Sequence, residues 1–253
     1  MISFASLSSC SDGNSYVIFN NSNKLVIIDA GISYKKLKNS LASLTLDVQN
    51  VTHIIITHAH NDHIKGLPSI YKQINPILIV NSQLMERFFY YKNLSTYSFN
   101  NHLNLNGMDF FSIQVPHDHL NTSFLITYKD KKVGFISDAG VLHKEHLNNF
   151  RGLDFLVIES NHSIRRLELS NYSDTLKLRI KSDVGHLSNQ QSGKIIAELY
   201  HNGLKCILFI HLSKRCNHPE ILYKEVISKL QSNFPLVDYK IAPYDSPSEI
   251  INI

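Results

Sequence analysis

Six consecutive residues, His58-Ala59-His60-Asn61-Asp62-His63, bring together three imidazoles and one carboxylate. Divalent zinc, manganese or iron takes nitrogen and oxygen ligands in a compact shell, at about 2.0–2.2 Å for zinc. His58 and His60 are two residues apart, so on extended chain they point the same way and can grip one metal. Asp62 and His63 follow after the chain turns and can face a second. Two metals held close together lower the pKa of a shared water to near neutrality and make it a nucleophile. Phosphodiesters, thioesters and lactones all suit such a nucleophile. The spacing is too specific for a polar loop that merely contains histidines.

Such ligands need a rigid scaffold, and short apolar runs supply it. Tyr16-Val17-Ile18-Phe19, Leu25-Val26-Ile27-Ile28, Ile54-Ile55-Ile56, Ile77-Leu78-Ile79-Val80, Phe124-Leu125-Ile126, Phe155-Leu156-Val157-Ile158 and Ile207-Leu208-Phe209-Ile210 are rich in β-branched residues. They read as strands buried on at least one face. Residues 115–133 read as antiparallel strands around a polar turn at Lys129-Asp130-Lys131. Helical periodicity is expected near 33–44, 63–74, 82–92, 189–202 and 218–232, the last opened by Pro219-Glu220. Strands interspersed with helices imply an α/β (α+β) fold of sheets covered by helices. Five runs deliver a ligand-type residue at their ends: His58, His117, Asp138, Glu159 and His211. Strand ends are where a scaffold presents chemistry.

The rest of the composition excludes several classes. At 253 residues, 43% hydrophobic and 18% charged, the chain suits a globular protein with a substantial core, of one large domain or two small ones, and no linker or repeat divides it. No apolar run approaches the roughly 18 residues of a membrane span, and the start MISFASLSSC has no signal-peptide pattern. Three cysteines without paired spacing imply a reducing, cytoplasmic setting. The net charge of +4 permits contact with phosphates without demanding it.

His58-x-His60-x-Asp62-His63 after an apolar strand resembles the signature of the metallo-β-lactamase superfamily, and His117, Asp138 and His211 resemble its later motifs in order. The resemblance implies a four-layer αββα sandwich of this fold, with residues 1–253 as a single domain. It implies that His58, His60 and His117 hold one metal, that Asp62, His63 and His211 hold the other, and that Asp138 bridges them. Two divalent ions follow as cofactors, zinc first, with manganese or iron as alternatives. His119 competes with His117 for the third position; His117 directly follows its strand.

A narrower resemblance runs through Leu156-Val157-Ile158-Glu159-Ser160-Asn161-His162, Ser182-Asp183-Val184-Gly185-His186-Leu187-Ser188-Asn189 and His211-Leu212-Ser213-Lys214, with Ser9-Cys10-Ser11-Asp12-Gly13-Asn14 at the start. These blocks are similar to the YycJ/WalJ-type branch of bacterial exonucleases, related to ribonuclease Z. Cys10 stands where that branch usually has glycine. The resemblance implies a metal-dependent hydrolase, a phosphodiesterase acting as a 5′→3′ DNA exonuclease through a metal-activated hydroxide, with no membrane and no obligate protein partner. The alternative is a small-molecule thioester or lactone hydrolase of the same fold. Asp62, Glu159 and His186 are the expected catalytic residues; a carboxylate that orients and charges an imidazole makes a general acid. The structural alternative for Glu159 is a buried pair with Arg165. Ser9, Ser11, Asn14, His162 and Lys214 are candidate phosphate or substrate contacts. The cations among residues 162–186 read equally as a solvated helical face or a nucleic-acid contact, and Phe88-Phe89-Tyr90-Tyr91 reads first as packing.

Overall fold

β-branched runs flanked by turn residues form the central strands of two mixed sheets. The computed structural model describes every residue from Met1 to Ile253. The strands are β1 (Ile2–Ser8), β2 (Ser15–Asn20), β3 (Leu25–Ile28), β4 (Val51–Ile55), β5 (Ile77–Asn81), β6 (Leu94–Tyr97), β7 (His102–Leu105), β8 (Met108–Val115), β9 (Asn121–Tyr128), β10 (Lys131–Ile136), β11 (Phe155–Glu159), β12 (Cys206–Ile210), β13 (Asp238–Ile241) and β14 (Ile251–Asn252). One seven-stranded sheet runs β14-β1-β2-β3-β4-β5-β6, the other β13-β12-β11-β10-β9-β8-β7. In the first, β1, β2 and β3 pair antiparallel, whereas β3 to β6 are parallel. In the second, β10 to β13 are parallel. Parallel strands lie buried on both faces; β3, β11 and β12 are buried at every residue.

The helices are α1 (Tyr34–Ser43), α2 (Asn61–Ile64), α3 (Leu67–Ile74), α4 (Met85–Phe88), α5 (Lys144–Asn148), α6 (Ile164–Glu168), α7 (Asp174–Lys181), α8 (Asn189–Leu199), α9 (Pro219–Leu222) and α10 (Ser228–Asn233). The chain divides into two compact units. The first comprises Met1–Ser112, Thr127–Asp130 and Pro243–Ile253; the second, Ile113–Ile126 and Lys131–Ala242. In the first unit, Leu37 and Leu41 of α1 and Leu67 and Ile70 of α3 join the buried cluster of Ile27, Ile54, Ile56, Leu78 and Val80. In the second, Ile195, Ile196 and Leu199 of α8 are buried with Leu222, Val226, Ile227 and Leu230.

Three expected helices differ from those formed. The segment near 63–74 breaks into α2 and α3 at Gly66, whose N–H donates to Ala30 O (2.8 Å). A side chain there would meet Ile32 O at 1.7 Å, so only glycine admits this approach. The segment near 82–92 forms only a 3₁₀ turn at Ser82–Leu84 and the single turn of α4, which leaves Phe89 and Tyr90 exposed. The segment near 218–232 is interrupted by a π turn at Tyr223–Ile227, an insertion that functional sites often use. No helix is long and apolar enough to cross a membrane, and Cys10, Cys206 and Cys216 are free and buried.

Candidate metal centre

In the first unit, β4 ends at Ile55 and the chain carries Thr57, His58 and His60 to the start of α2, which holds Asp62 and His63. Backbone hydrogen bonds pin this loop: Asn14 N to Asp62 O (2.8 Å), Ala30 N to His63 O (2.7 Å) and Gly31 N to Asn14 O (2.9 Å). Gly31 packs so closely that a side chain would meet Asp62 O at 1.7 Å.

The organiser of this group is Asp29, directly after β3 and fully buried. It sits at φ 62°, a left-handed conformation that Asp tolerates better than most residues. Its carboxylate accepts from His63 Nδ1 (2.7 Å), Thr57 N (2.9 Å) and Thr57 Oγ1 (2.9 Å). Because the Thr57 hydroxyl proton goes to Asp29, its oxygen is left to accept from His58 Nδ1 at 3.0 Å. One carboxylate therefore holds both rings in the Nδ1–H tautomer, directly for His63 and through Thr57 for His58. Each keeps its Nε2 lone pair outward, as a metal ligand requires. Asn14 Nδ2 faces His63 Nε2 at 3.1 Å and donates to Asp62 Oδ2 at 3.0 Å, and His60 Nδ1 lies 3.0 Å from His58 Nε2. Burial raises the Asp29 pKa, with His63 and Thr57 pulling the other way. Sequence reasoning missed Asp29. The rule that found the other ligands, a strand run delivering a ligand-type residue, applied equally to Leu25-Val26-Ile27-Ile28.

The second unit holds the other group. Asp138 lies two residues past β10 at φ 54°, and His211 directly follows β12 at φ 55°. Such non-glycine residues cluster where surrounding structure fixes them for function. Glu159, the last residue of β11, is fully buried. Its Oε1 accepts from His186 Nδ1 (2.7 Å) and His211 Nδ1 (2.8 Å), and its Oε2 from the backbone N–H of Ala139 and Leu187 (both 3.2 Å). Burial alone would raise its pKa, but His186 and His211 outweigh it and hold the carboxyl well below the usual carboxylate range. Burial likewise opposes the His186 imidazolium, yet Glu159 and Asp138 raise its pKa above the ordinary value. Asp138 Oδ1 lies 3.1 Å from His211 Nδ1 and 3.5 Å from His186 Nδ1. The ligand atoms of Asp138, Glu159, His186 and His211 all fall within 4.8 Å of one another, a mixed nitrogen and oxygen set that suits zinc, manganese or iron.

His117 directs Nδ1 at Gly185 O (3.0 Å), and its ring lies 5.3 Å from that of His186. Its side chain is 1% exposed against 48% for His119, so His117 is the one placed beside the group. Burial lowers its pKa.

A buried polar clamp joins the segments that follow Glu159, His186 and His211. Asn189 Oδ1 accepts from Ser160 Oγ and Asn217 Nδ2 (both 2.8 Å), and its Nδ2 donates to Glu225 Oε2 (2.8 Å). The π turn presents Glu225, which also accepts from Ser163 Oγ at 2.7 Å. Backbone bonds follow the same path: Asn161 N to Leu187 O, Asn189 N to His162 O and Ser213 N to Asn161 O.

The substrate-contact candidates are scattered. Ser9 and Asn14 are buried in a hydrogen-bonded chain through the Tyr16 hydroxyl that ends on Asp62 and His63. Ser11 and Lys214 are exposed. His162 is buried with no hydrogen-bond partner for Nδ1, and burial pushes its pKa down to about 4. Cys10 lies outside the left-handed region, so its side chain is accommodated where the branch has glycine.

The family model of the metallo-β-lactamase superfamily matches residues 9–183. The chain belongs to this superfamily. An exodeoxyribonuclease WalJ of Streptococcus pneumoniae is 30% identical over 254 residues, covering 96% of this chain and 93% of its own. An exodeoxyribonuclease YycJ of Bacillus anthracis is 28% identical over 237 residues, covering 90% and 89%. The metallo-β-lactamase-fold protein YhfI of Bacillus subtilis matches 98% of both chains with a TM-score of 0.73 at 15% identity, a likeness of fold. The expected αββα fold class and the resemblance to the YycJ/WalJ-type branch are therefore borne out, and the chain is a hydrolase of a superfamily whose fold implies divalent metal ions.

Proposed function

We propose that this hydrolase is a metal-dependent phosphodiesterase that removes nucleotides from the 5′ end of DNA. The observation that carries this reading is the Glu159 carboxylate gripping His186 Nδ1, in a chain whose relatives bear exodeoxyribonuclease names. His58, His60, Asp62, His63, His117, Asp138 and His211 are the proposed ligands of two divalent ions, with zinc first and manganese or iron competent. When bound, such ions supply Lewis acidity toward a phosphoryl oxygen and a nucleophile at neutral pH.

The remaining chemistry belongs to the chain. A phosphodiester leaving oxygen needs a proton. His186 is raised in pKa and its side chain is 20% exposed, against 2% for His211. With Nδ1 held by Glu159, His186 delivers the proton from Nε2, acting as the general acid. Three buried free thiols fit a reducing, cytoplasmic setting.

DNA labelled at the 5′ or the 3′ end, incubated with protein loaded with manganese or zinc, tests the reading. Early release of the 5′ label as mononucleotide is expected, and chelation abolishes it. Failure to cleave DNA, with thioesters or lactones cleaved instead, overturns it. Asp62→Ala should abolish hydrolysis while leaving circular dichroism unchanged; surviving activity would refute the ligand assignment.

A further inference from the structure

The second unit has a groove of about 450 Å³ outside the ligand cluster, lined by Ser163, Arg165, Arg166, Leu169, Ile221 and Lys224. Arg165, Arg166 and Lys224 are exposed, and none is in an ion pair. Nearby cations are committed elsewhere: Arg179 to Asp118, Lys181 to Glu168, and Arg215 over the Tyr172 ring at 5.7 Å. The acid bordering the groove, Glu225, has both oxygens engaged by Ser163 and Asn189. Against its single negative charge, the three cations leave the groove a net excess of two positive charges. Leu169, 74% exposed, and half-buried Ile221 add an apolar wall. Uncommitted cations beside an apolar wall match a strand of nucleic acid, which offers phosphates on one side and sugars and bases on the other.

The groove lies close to the chemistry. Four residues of chain lead from Glu159 to Ser163, and at about 3.6 Å per residue they span at most about 14 Å. A strand advancing about 3.4 Å per nucleotide covers that distance in at most about four nucleotides.

We propose that this groove holds the phosphate backbone of the nucleic-acid strand within about four nucleotides of the bond being cleaved. The inference deepens the exonuclease reading and rests on it. Each cation in contact with a phosphate of single-stranded DNA contributes about 0.7 to the slope of log affinity against log salt. Replacing three removes about 2, so between 50 and 200 mM salt the variant should lose about 20-fold less affinity than the wild type.

The test measures fluorescence anisotropy of labelled single-stranded DNA with the full chain in chelator. R165Q/R166Q/K224Q should bind at least about tenfold more weakly at 50 mM salt with the flatter slope, whereas R165K/R166K should stay within about threefold of wild type. K35Q/K38Q/K132Q removes the same charge from exposed lysines elsewhere and should leave affinity and slope unchanged. Circular dichroism and thermal melting show that each variant is folded. A groove variant with wild-type affinity and slope overturns the proposal, as does equal weakening by the control variant. Polyglutamate competing as well as DNA also overturns it, because the groove would then take any acidic chain. End-labelled DNA cleavage by the wild type is scored separately. Cleavage that persists while the groove variant binds normally removes the groove and leaves the exonuclease reading standing. Absence of both binding and cleavage removes both.

Discussion

Glu159→Gln separates the two duties of the second group. The carboxylate accepts four hydrogen bonds: two imidazole N–H groups on Oε1 and two backbone N–H groups on Oε2. A glutamine keeps one accepting oxygen and replaces the other with a donor. The backbone donors of Ala139 and Leu187 cannot change, so an amide facing them would strand buried N–H groups at about 1–3 kcal/mol each. The imidazoles can change. The amide therefore turns its NH₂ toward His186 and His211, and both rings move their proton to Nε2. His211 then offers no Nε2 lone pair to a metal. Loss of such an orienting partner lowers metal affinity about 10- to 100-fold, equivalent to about 1.4–2.7 kcal/mol. His186 loses the carboxylate that raises its pKa, so kcat at saturating metal should fall about 10²- to 10⁴-fold. Competition with a chromophoric zinc chelator reads the affinity, end-labelled DNA reads kcat, and nitrogen NMR of the imidazoles reads the tautomer. A folded E159Q protein with wild-type metal affinity and kcat within threefold would refute the reasoning.

Other expectations follow from the same geometry. Asn189→Ala leaves Asn217 and Glu225 with buried groups unmatched; at about 1–3 kcal/mol for each, a loss of about 2–6 kcal/mol should appear as a lower urea midpoint with an unchanged m-value. A shift under 1 kcal/mol would show that the clamp is dispensable. His162, buried with its pKa lowered to about 4 from 6.5, contributes stability that is complete above pH 6.5 and lost as pH falls toward 4. That difference is about 3 kcal/mol. The metal-free wild type should lose this amount relative to His162→Leu across that window, and parallel pH profiles would disprove it. Asp29→Asn removes the acceptor shared by His63 and Thr57 and should weaken metal binding about 10- to 100-fold, read by chelator competition. The backbone tolerates the change, because asparagine is well suited to the left-handed region.

Much of this was legible in the sequence where local pattern and chemistry coincide. The seven quoted runs all lie in strands, or at their ends, because β-branched residues repeat over lengths that only a buried strand accommodates. Glu159 and His211 sit where the pattern placed them, at the ends of β11 and β12. Short edge strands such as β7 and β13 carry half-exposed residues with little apolar signal. The polar helices α6 and α7 bury one residue or none, so no apolar stripe marks them. The π turn keeps an apolar spacing that a regular helix would also show, although its added residue aims Glu225 at the clamp. Asn14 was legible as a loop residue, but nothing nearby in sequence reports that its partners are Asp62 and His63, 48 and 49 residues away.

Both groups use the same device with opposite electrostatic settings. In each, a buried carboxylate at a strand end fixes the Nδ1 protons of two imidazoles: Asp29 for His63 and, through Thr57, His58; Glu159 for His186 and His211. Burial prevails at Asp29 and raises its pKa, whereas pairing prevails at Glu159 and lowers it. Asp29 orients imidazoles that must be neutral to bind metal. Glu159 sustains an imidazolium at His186, the state that donates a proton. The distinction has a kinetic signature. The defect of D29N is occupancy, so excess metal should return kcat to within about threefold of wild type. The defect of E159Q is occupancy and proton delivery, so excess metal should saturate the site and leave kcat depressed. If saturating metal restored both variants equally, Glu159 would be an orienting residue like Asp29, and the general acid would have to be sought elsewhere.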